Sequence, residues 1–217
     1  MKSTREKLLK TAAQLFTKDG YAATSVRDII RRAGVNIAAV HYHFGDKRGL
    51  FLAAFKYLSA QCDKLLFSPR HGICIPQNVD SLTREEALDL LHKLLCRMLD
   101  LDSERKNALI SRFFMFAELD PSGNLPQILV QSASSIDNTL CRLLARAAGV
   151  KHRSAELAML ANVVFGQIIL TDFKRSILLR ATGCKEYNPR LHAQVKKLVW
   201  HNTYAILKSY DKGIKES

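Results

Sequence analysis

Residues 24–47, TSVRDIIRRAGVNIAAVHYHFGDK, contain two short apolar runs of helical period separated by Gly34. Runs this short are marginal as isolated helices, so they predict a unit in which short helices are held by neighbours. Thr24 and Ser25 offer N-cap hydroxyls to the first run, whose Val26, Ile29, Ile30 and Ala33 share one face, with Gly34 as its stop. Asn36 is a good N-cap for the second run, which reaches about His43. Asp46 caps a longer helix carrying Leu50, Phe51, Ala54, Phe55 and Leu58. Residues 4–19 place Leu8, Ala12, Leu15 and Phe16 at helical spacing before Gly20, which makes one more amphipathic helix with a glycine stop.

Two short helices across a Gly turn make a helix-turn-helix, whose second helix fits the major groove of DNA. Val26, Ile29, Ile30, Val35, Val40 and Phe44 are expected to build its small core. Arg27, Arg31, Asn36, Ile37, Ala39, His41, Tyr42, His43 and Lys47 are left outward. The charge agrees with that reading, since the chain carries +13 in total and about +7 of it falls in residues 1–60. Clustered Lys and Arg favour a polyanion, nucleic acid first and an anionic membrane surface as the rival. Arg31 and Arg32 fit either a DNA contact or a solvated face. His41 and His43 form an H-x-H pair, but positions i and i+2 of a helix diverge, so no shared metal is expected.

The remainder also reads as helical, which gives an all-α fold with no strand-like alternation of useful length. Residues 67–82 lapse into Ser-Pro, His-Gly and Ile-Pro pieces and read as a connecting loop. Thr83 and Glu86 form a T-x-x-E capping box, and Ser103 is a candidate cap for the next helix. Asp-Pro-Ser-Gly at 120–123 is a turn, and Leu125–Ala147 and Ser154–Ala181 read as long helices divided by Gly149. A last helix spans about Arg190–Tyr210. The division expected is residues 1–58 for the helix-turn-helix domain and residues 59–217 for a helical domain that senses a ligand and dimerises.

In that second domain Met98, Phe113, Phe116, Phe165 and Gln167 could line an apolar ligand pocket with one polar group, although plain core packing serves each of them as well. His92, Arg112, Glu118 and Asp172 are the polar residues near those faces. The 154–181 helix is apolar round much of its circumference, more than a monomeric core needs. A two-fold interface is therefore expected at Val164, Ile168, Val195, Leu198, Val199 and Asn202.

Several classes are set aside. No G-x-S-x-G elbow, P-loop, dinucleotide glycine pattern, H-E-x-x-H or paired-carboxylate arrangement is present, so no enzyme and no cofactor are expected. Five scattered cysteines lack zinc-ligand spacing and read as reduced thiols. The first ten residues hold no apolar signal stretch, and the most apolar run, Leu157–Thr171, is too short to span a bilayer and contains Asn162, Gly166 and Gln167. A cytoplasmic protein with no membrane partner is expected.

Residues 1–58, through the T-S-V-R-D-I-I-R-R-A-G-V run and the Y-H-F-G-D-K ending, resemble the DNA-binding domain of the TetR (tetracycline repressor) family. N-I-A-A-V-x-Y-H-F-G resembles its CecR-type subset, and F-F-M-F-A-E-L-D-P-S and F-G-Q-I-I-L-T-D-F-K-R loosely resemble that subset's C-terminal domain. The resemblance implies that Tyr42, His43 and Lys47 hold phosphates, and that Thr24, Ser25 and Arg27 do the same or reach a base. It makes Asn36, Ile37, Ala38, Ala39 and His41 the recognition positions. Many members have Ser-Lys-Gly where this chain has Asn36-Ile37-Ala38, so a cationic contact gives way to apolar groups suited to thymine methyls. The implied partners are a double-stranded operator, a small-molecule effector and a second copy of the chain. A nucleoid-associated or division-control protein on the same scaffold shares every N-terminal feature.

Overall fold

A computed structural model of the chain describes residues 3–67, 73–76, 78–103 and 135–210. Among these residues the regular structure is helical, and no strand occurs. They fall into two compact units, residues 3–64 and residues 65–103 with 135–210.

The first unit is built by α1 (Thr4–Ala23), α2 (Val26–Ala33), α3 (Ile37–Phe44) and most of α4 (Lys47–Leu66). Each start is fixed by a side chain that accepts an otherwise orphaned N–H. Ser3 takes that of Glu6, Ser25 that of Asp28, Asn36 that of Ala38 and Asp46 that of Gly49. Gly20 interrupts α1 at φ 80° and ψ 172°, a conformation that glycine alone enters freely. The hydroxyl of Thr24 donates to the Gly20 carbonyl at 2.7 Å and fixes the turn into α2. Gly34 ends α2 in the left-handed region, where its N–H and that of Val35 both donate to the Ile30 carbonyl.

Apolar side chains from all four helices meet in one core. Leu8, Phe16, Ile29, Val40, Leu50, Phe51 and Phe55 are buried there. The Phe51 ring meets both Phe16 and Tyr21 edge-on at 5.1 Å. α2 and α3 each contribute a single fully buried residue, Ile29 and Val40, so most of the burial that holds them comes from α1 and α4.

The second unit holds a 3-10 turn (Val79–Ser81), α5 (Arg84–Ser103), α6 (Ser135–Ala148), α7 (Ala155–Phe173), α8 (Arg175–Thr182) and α9 (Pro189–Ser209). The Thr83–Glu86 capping box is reciprocal: the Thr83 N–H donates to Glu86 at 2.7 Å and the Glu86 N–H to the Thr83 hydroxyl at 3.2 Å. Ile73 and Val79 of the expected connecting loop are buried, and Arg142 pairs with Asp80. Arg84 ties three helices at one end of the unit, since its guanidinium donates to the Ala147 carbonyl at 2.6 Å and the Leu207 carbonyl at 3.3 Å.

Two expectations change. Ser103 is the last residue of α5, so it falls in that helix rather than ahead of the next one. Residues 154–181 do not form one helix. Their axis turns by 69° between α7 and α8, where Lys174 adopts φ −96° and ψ 19°. One turn earlier the Thr171 hydroxyl donates back to the Gln167 carbonyl at 2.8 Å, a bond that bends helices. The turn at 120–123, Arg112, Phe113, Phe116 and Glu118 lie outside the described residues, as does the part of the expected 125–147 helix before Ser135.

A polar staple joins α5 to α9. Asp100 accepts from His192 at 2.7 Å and Lys196 at 2.6 Å through the same oxygen, and the other His192 nitrogen lies 3.2 Å from the Tyr187 hydroxyl. Burial works to raise the Asp100 pKa, but the hydrogen bonds and charges of His192 and Lys196 outweigh it and hold the carboxyl below its ordinary value. Asp100 therefore stabilises the fold at neutral pH. That contribution is lost as the pH falls below the unfolded value of about 3.9 and through the lower folded one. The Asp100→Asn variant should lose about 1 kcal/mol at pH 7, a figure reduced for partial exposure, and its acid unfolding limb should flatten. Trp200, the sole tryptophan, stacks 4.5 Å from His92 of α5, so denaturation followed by its fluorescence reads this interface. Equal stability of the two proteins at pH 7 would contradict the staple.

Candidate nucleic-acid interface

α3 is held from behind and open in front. Val40 is buried, while Ala39 and Phe44 pack partly into the core. Ile37, Ala38, His41 and Tyr42 are exposed, with 46% of the Ile37 surface and 84% of the Tyr42 surface free.

The neighbouring helices carry cations. Arg27, Arg32 and Arg48 are exposed. Lys47 begins α4, and its ammonium stands 4.4 Å over the Tyr21 ring, which directs the side chain. Arg5 of α1 lies 5.5 Å over the Phe44 ring at the end of α3. Sequence reasoning missed Arg5, because nothing in residues 1–10 marks which turn of α1 meets α3. Arg31 turns back onto its own helix and pairs with Asp28. The Ser25 hydroxyl, followed by Arg31 and Arg32, keeps the Asp28 carboxyl below its usual range, so this acid stays ionised beside the cations.

The histidines differ in their surroundings. His41 sets Nδ1 2.8 Å from the Gly45 carbonyl oxygen. The half-buried His43 ring sits between Tyr42 and Phe44, at 4.9 Å and 6.0 Å in edge contacts. Gly49 lets α4 start close against α3, since a Cβ at this position would come 1.9 Å from the Phe44 carbonyl oxygen.

The expected set thus divides. Ser25, Arg27, Asn36, Ile37, Ala38, His41 and Tyr42 are on the surface, and His43 and Lys47 are half-buried beside it. Thr24 is corrected: it is buried, and its hydroxyl donates to the Leu15 and Gly20 carbonyls, so it positions α2 and has no donor for a phosphate. Ala39 is also corrected, because its methyl faces the core. Ser25 and Asn36 spend their oxygens on capping.

In the second unit Met98 is buried on α5. Gln167 instead lines an open groove of about 430 Å³ among α7, α8 and α9, whose walls include Leu170, Ile177, Val195, Leu198 and Asn202. Met98 and Phe165 are not among those walls, and Phe113 and Phe116 lie outside the described residues. Gln167 buries its Nε2 there with no partner among the described residues. Val164, Ile168 and Val199 are buried within the chain, and Val199 also lines the groove. Leu198 and Asn202 are exposed and Val195 is half-buried. Among the described residues no single helix is long and apolar enough to cross a membrane.

Comparison with known proteins agrees with this architecture. Residues 8–54 match the model of bacterial regulatory proteins of the tetR family, and residues 83–209 match that of the C-terminal domain of the HTH-type transcriptional dual regulator CecR. CecR of Shigella flexneri is 24% identical over 190 residues, which cover 82% of this chain and 80% of the relative. The HTH-type transcriptional repressor Rv3405c of Mycobacterium tuberculosis is 38% identical over 112 residues, 52% of this chain and 54% of the relative. The crystal structure of a TetR-like transcriptional regulator from Rhodococcus sp. RHA1 superposes with a TM-score of 0.62 over 94% of this chain and 96% of that one, at 15% identity. These relatives and neighbours are regulators rather than enzymes. With more than half its length inside the CecR-type model and its N-terminus inside the tetR model, the chain belongs to the TetR family of transcription regulators.

Proposed function

We propose that the protein is a ligand-responsive repressor that binds a palindromic operator as a homodimer. The observation that carries the DNA-binding part is the open face of α3, where Ile37, Ala38, His41 and Tyr42 stand free of the core. In this reading Tyr42, His43 and Lys47 hold phosphates, and Ser25 and Arg27 bring the start of α2 to the backbone. Ile37, Ala38 and His41 meet base edges. The repressor sense is supported by the name of the mycobacterial relative. Effector control is supported by family membership and by the separate helical unit.

The pairing surface is supported by an apolar stripe. Met159, Val163 and Leu170 stand exposed along α7, Ile177 on α8 and Leu198 on α9, and Leu170, Ile177 and Leu198 line the groove of about 430 Å³. A patch of this kind on a regulator that must span two half-sites is well suited to a symmetric four-helix contact by α7 and α9. The operator is expected to appear as a footprint on the DNA flanking the gene.

Three outcomes test the reading. Tyr42→Phe and Lys47→Ala should weaken binding to operator and unrelated DNA about equally, by about 1 kcal/mol per protomer, and Lys47→Ala should flatten the salt slope by about one unit per protomer. A change of base preference at retained affinity would refute the phosphate roles. Ile37→Lys should shift the consensus recovered by selection from random duplexes, and recovery of the wild-type consensus would count against Ile37 as a reader. Leu198→Glu, at a site 60% exposed, should convert a dimer to a folded monomer in sedimentation and abolish operator binding. An unchanged sedimentation coefficient would remove α9 from the interface. Val199 serves this test poorly, because a charge there would enter the core.

A further inference from the structure

Ile37 and His41 are one helical turn apart on α3 and lie on the same side, with Ala38 beside them. Ile37 and Ala38 offer only apolar surface. His41 is exposed but not free to choose how it bonds. Its Nδ1 lies 2.8 Å from the Gly45 carbonyl oxygen, while the Gly45 N–H donates to the His41 carbonyl at 3.1 Å. A carbonyl oxygen can only accept, so Nδ1 carries the proton. With Nδ1 as the donor, Nε2 is the ring nitrogen left to accept, and the bond through Nδ1 fixes the ring's orientation.

We propose that His41 reads the operator as a hydrogen-bond acceptor. Nε2 takes a hydrogen bond from an exocyclic amine in the major groove, adenine N6 or cytosine N4, next to a thymine whose methyl packs on Ile37 or Ala38. Those amines are the donors that base edges present in that groove. A guanine at the contacted position would bring its N7 and O6 acceptors against the Nε2 lone pair and is disfavoured. This inference rests on the reading of α3 as the helix that faces the bases.

The test uses the full-length protein and duplexes recovered by selection. Each adenine of the half-site is replaced in turn by purine, which lacks the N6 amine, and each cytosine by pyrimidin-2-one, which lacks the N4 amine. Guanines are replaced by 7-deazaguanine. One amine deletion per half-site should weaken wild-type binding about two- to tenfold and leave His41→Phe unaffected, and the base at which this happens tells adenine from cytosine. His41→Arg should select guanine there instead, as a guanidinium pairs with O6 and N7. Affinity for non-operator DNA, which phosphate contacts carry, confirms that each variant is folded. Amine deletions that cost wild type and His41→Phe the same would overturn the proposal. So would a 7-deazaguanine loss that His41→Phe abolishes, since Nε2 would then be a donor. If selection returns no preferred sequence at all, the assignment of α3 fails, and the acceptor role fails with it; a clear consensus indifferent to amine deletion removes the acceptor role alone.

Discussion

Helices of eight residues do not stand alone in water, and α2 and α3 are both of that length. They exist because Ile29 and Val40 reach a core assembled mainly by α1 and α4, in which Phe51 meets Phe16 and Tyr21 edge-on. Everything proposed for the DNA-facing surface depends on that attachment. The exposed face of α3 can be free of structural duties only because the opposite face is so firmly held. The close approach at Gly49 completes the hold, since the first turn of α4 sits against the last carbonyl of α3 with no room for a side chain.

The second unit meets a different demand, that of keeping long helices in register. Its apolar core is supplemented at the ends and edges by charged groups on carbonyls and carboxylates. Arg84 gathers the C-terminal ends of α6 and α9, and Asp100 gathers His192 and Lys196. Such contacts are modest in energy, but they are directional, and apolar packing by itself leaves helices able to slide.

Much of this was legible in the sequence wherever the signal is local. Ser25, Asn36, Asp46 and the Thr83–Glu86 pair are caps because a short oxygen-bearing side chain sits next to a periodic apolar run, and Gly20 breaks α1 and Gly34 ends α2 because glycine enters their backbone conformations readily. Partner-dependent features were not legible. Periodicity marks α7 as apolar on several sides but does not say which side meets α5 and α6, so it does not reveal that Val164 and Ile168 lie within. Thr24 looks like an exposed cap until the Gly20 carbonyl is seen to claim its hydroxyl, and the break at Lys174 carries neither glycine nor proline to announce it. Arg5 reaches Phe44 through the packing of α1 on α3, which sequence spacing does not encode.

The separation of duties on α3 bears on how such a protein changes over evolutionary time. Ile37, Ala38 and His41 stand outside the core cluster, so substitutions there cost little folding stability, and surface changes of this kind fall mostly within about 0.5 kcal/mol. A gene duplicate can therefore explore new target sequences one residue at a time without passing through an unfolded intermediate. Gly34 and Gly49 have no such latitude, one for its left-handed backbone and the other for lack of space. Divergence among descendants of this chain should concentrate on the outward positions of α3 while the glycines on either side stay fixed.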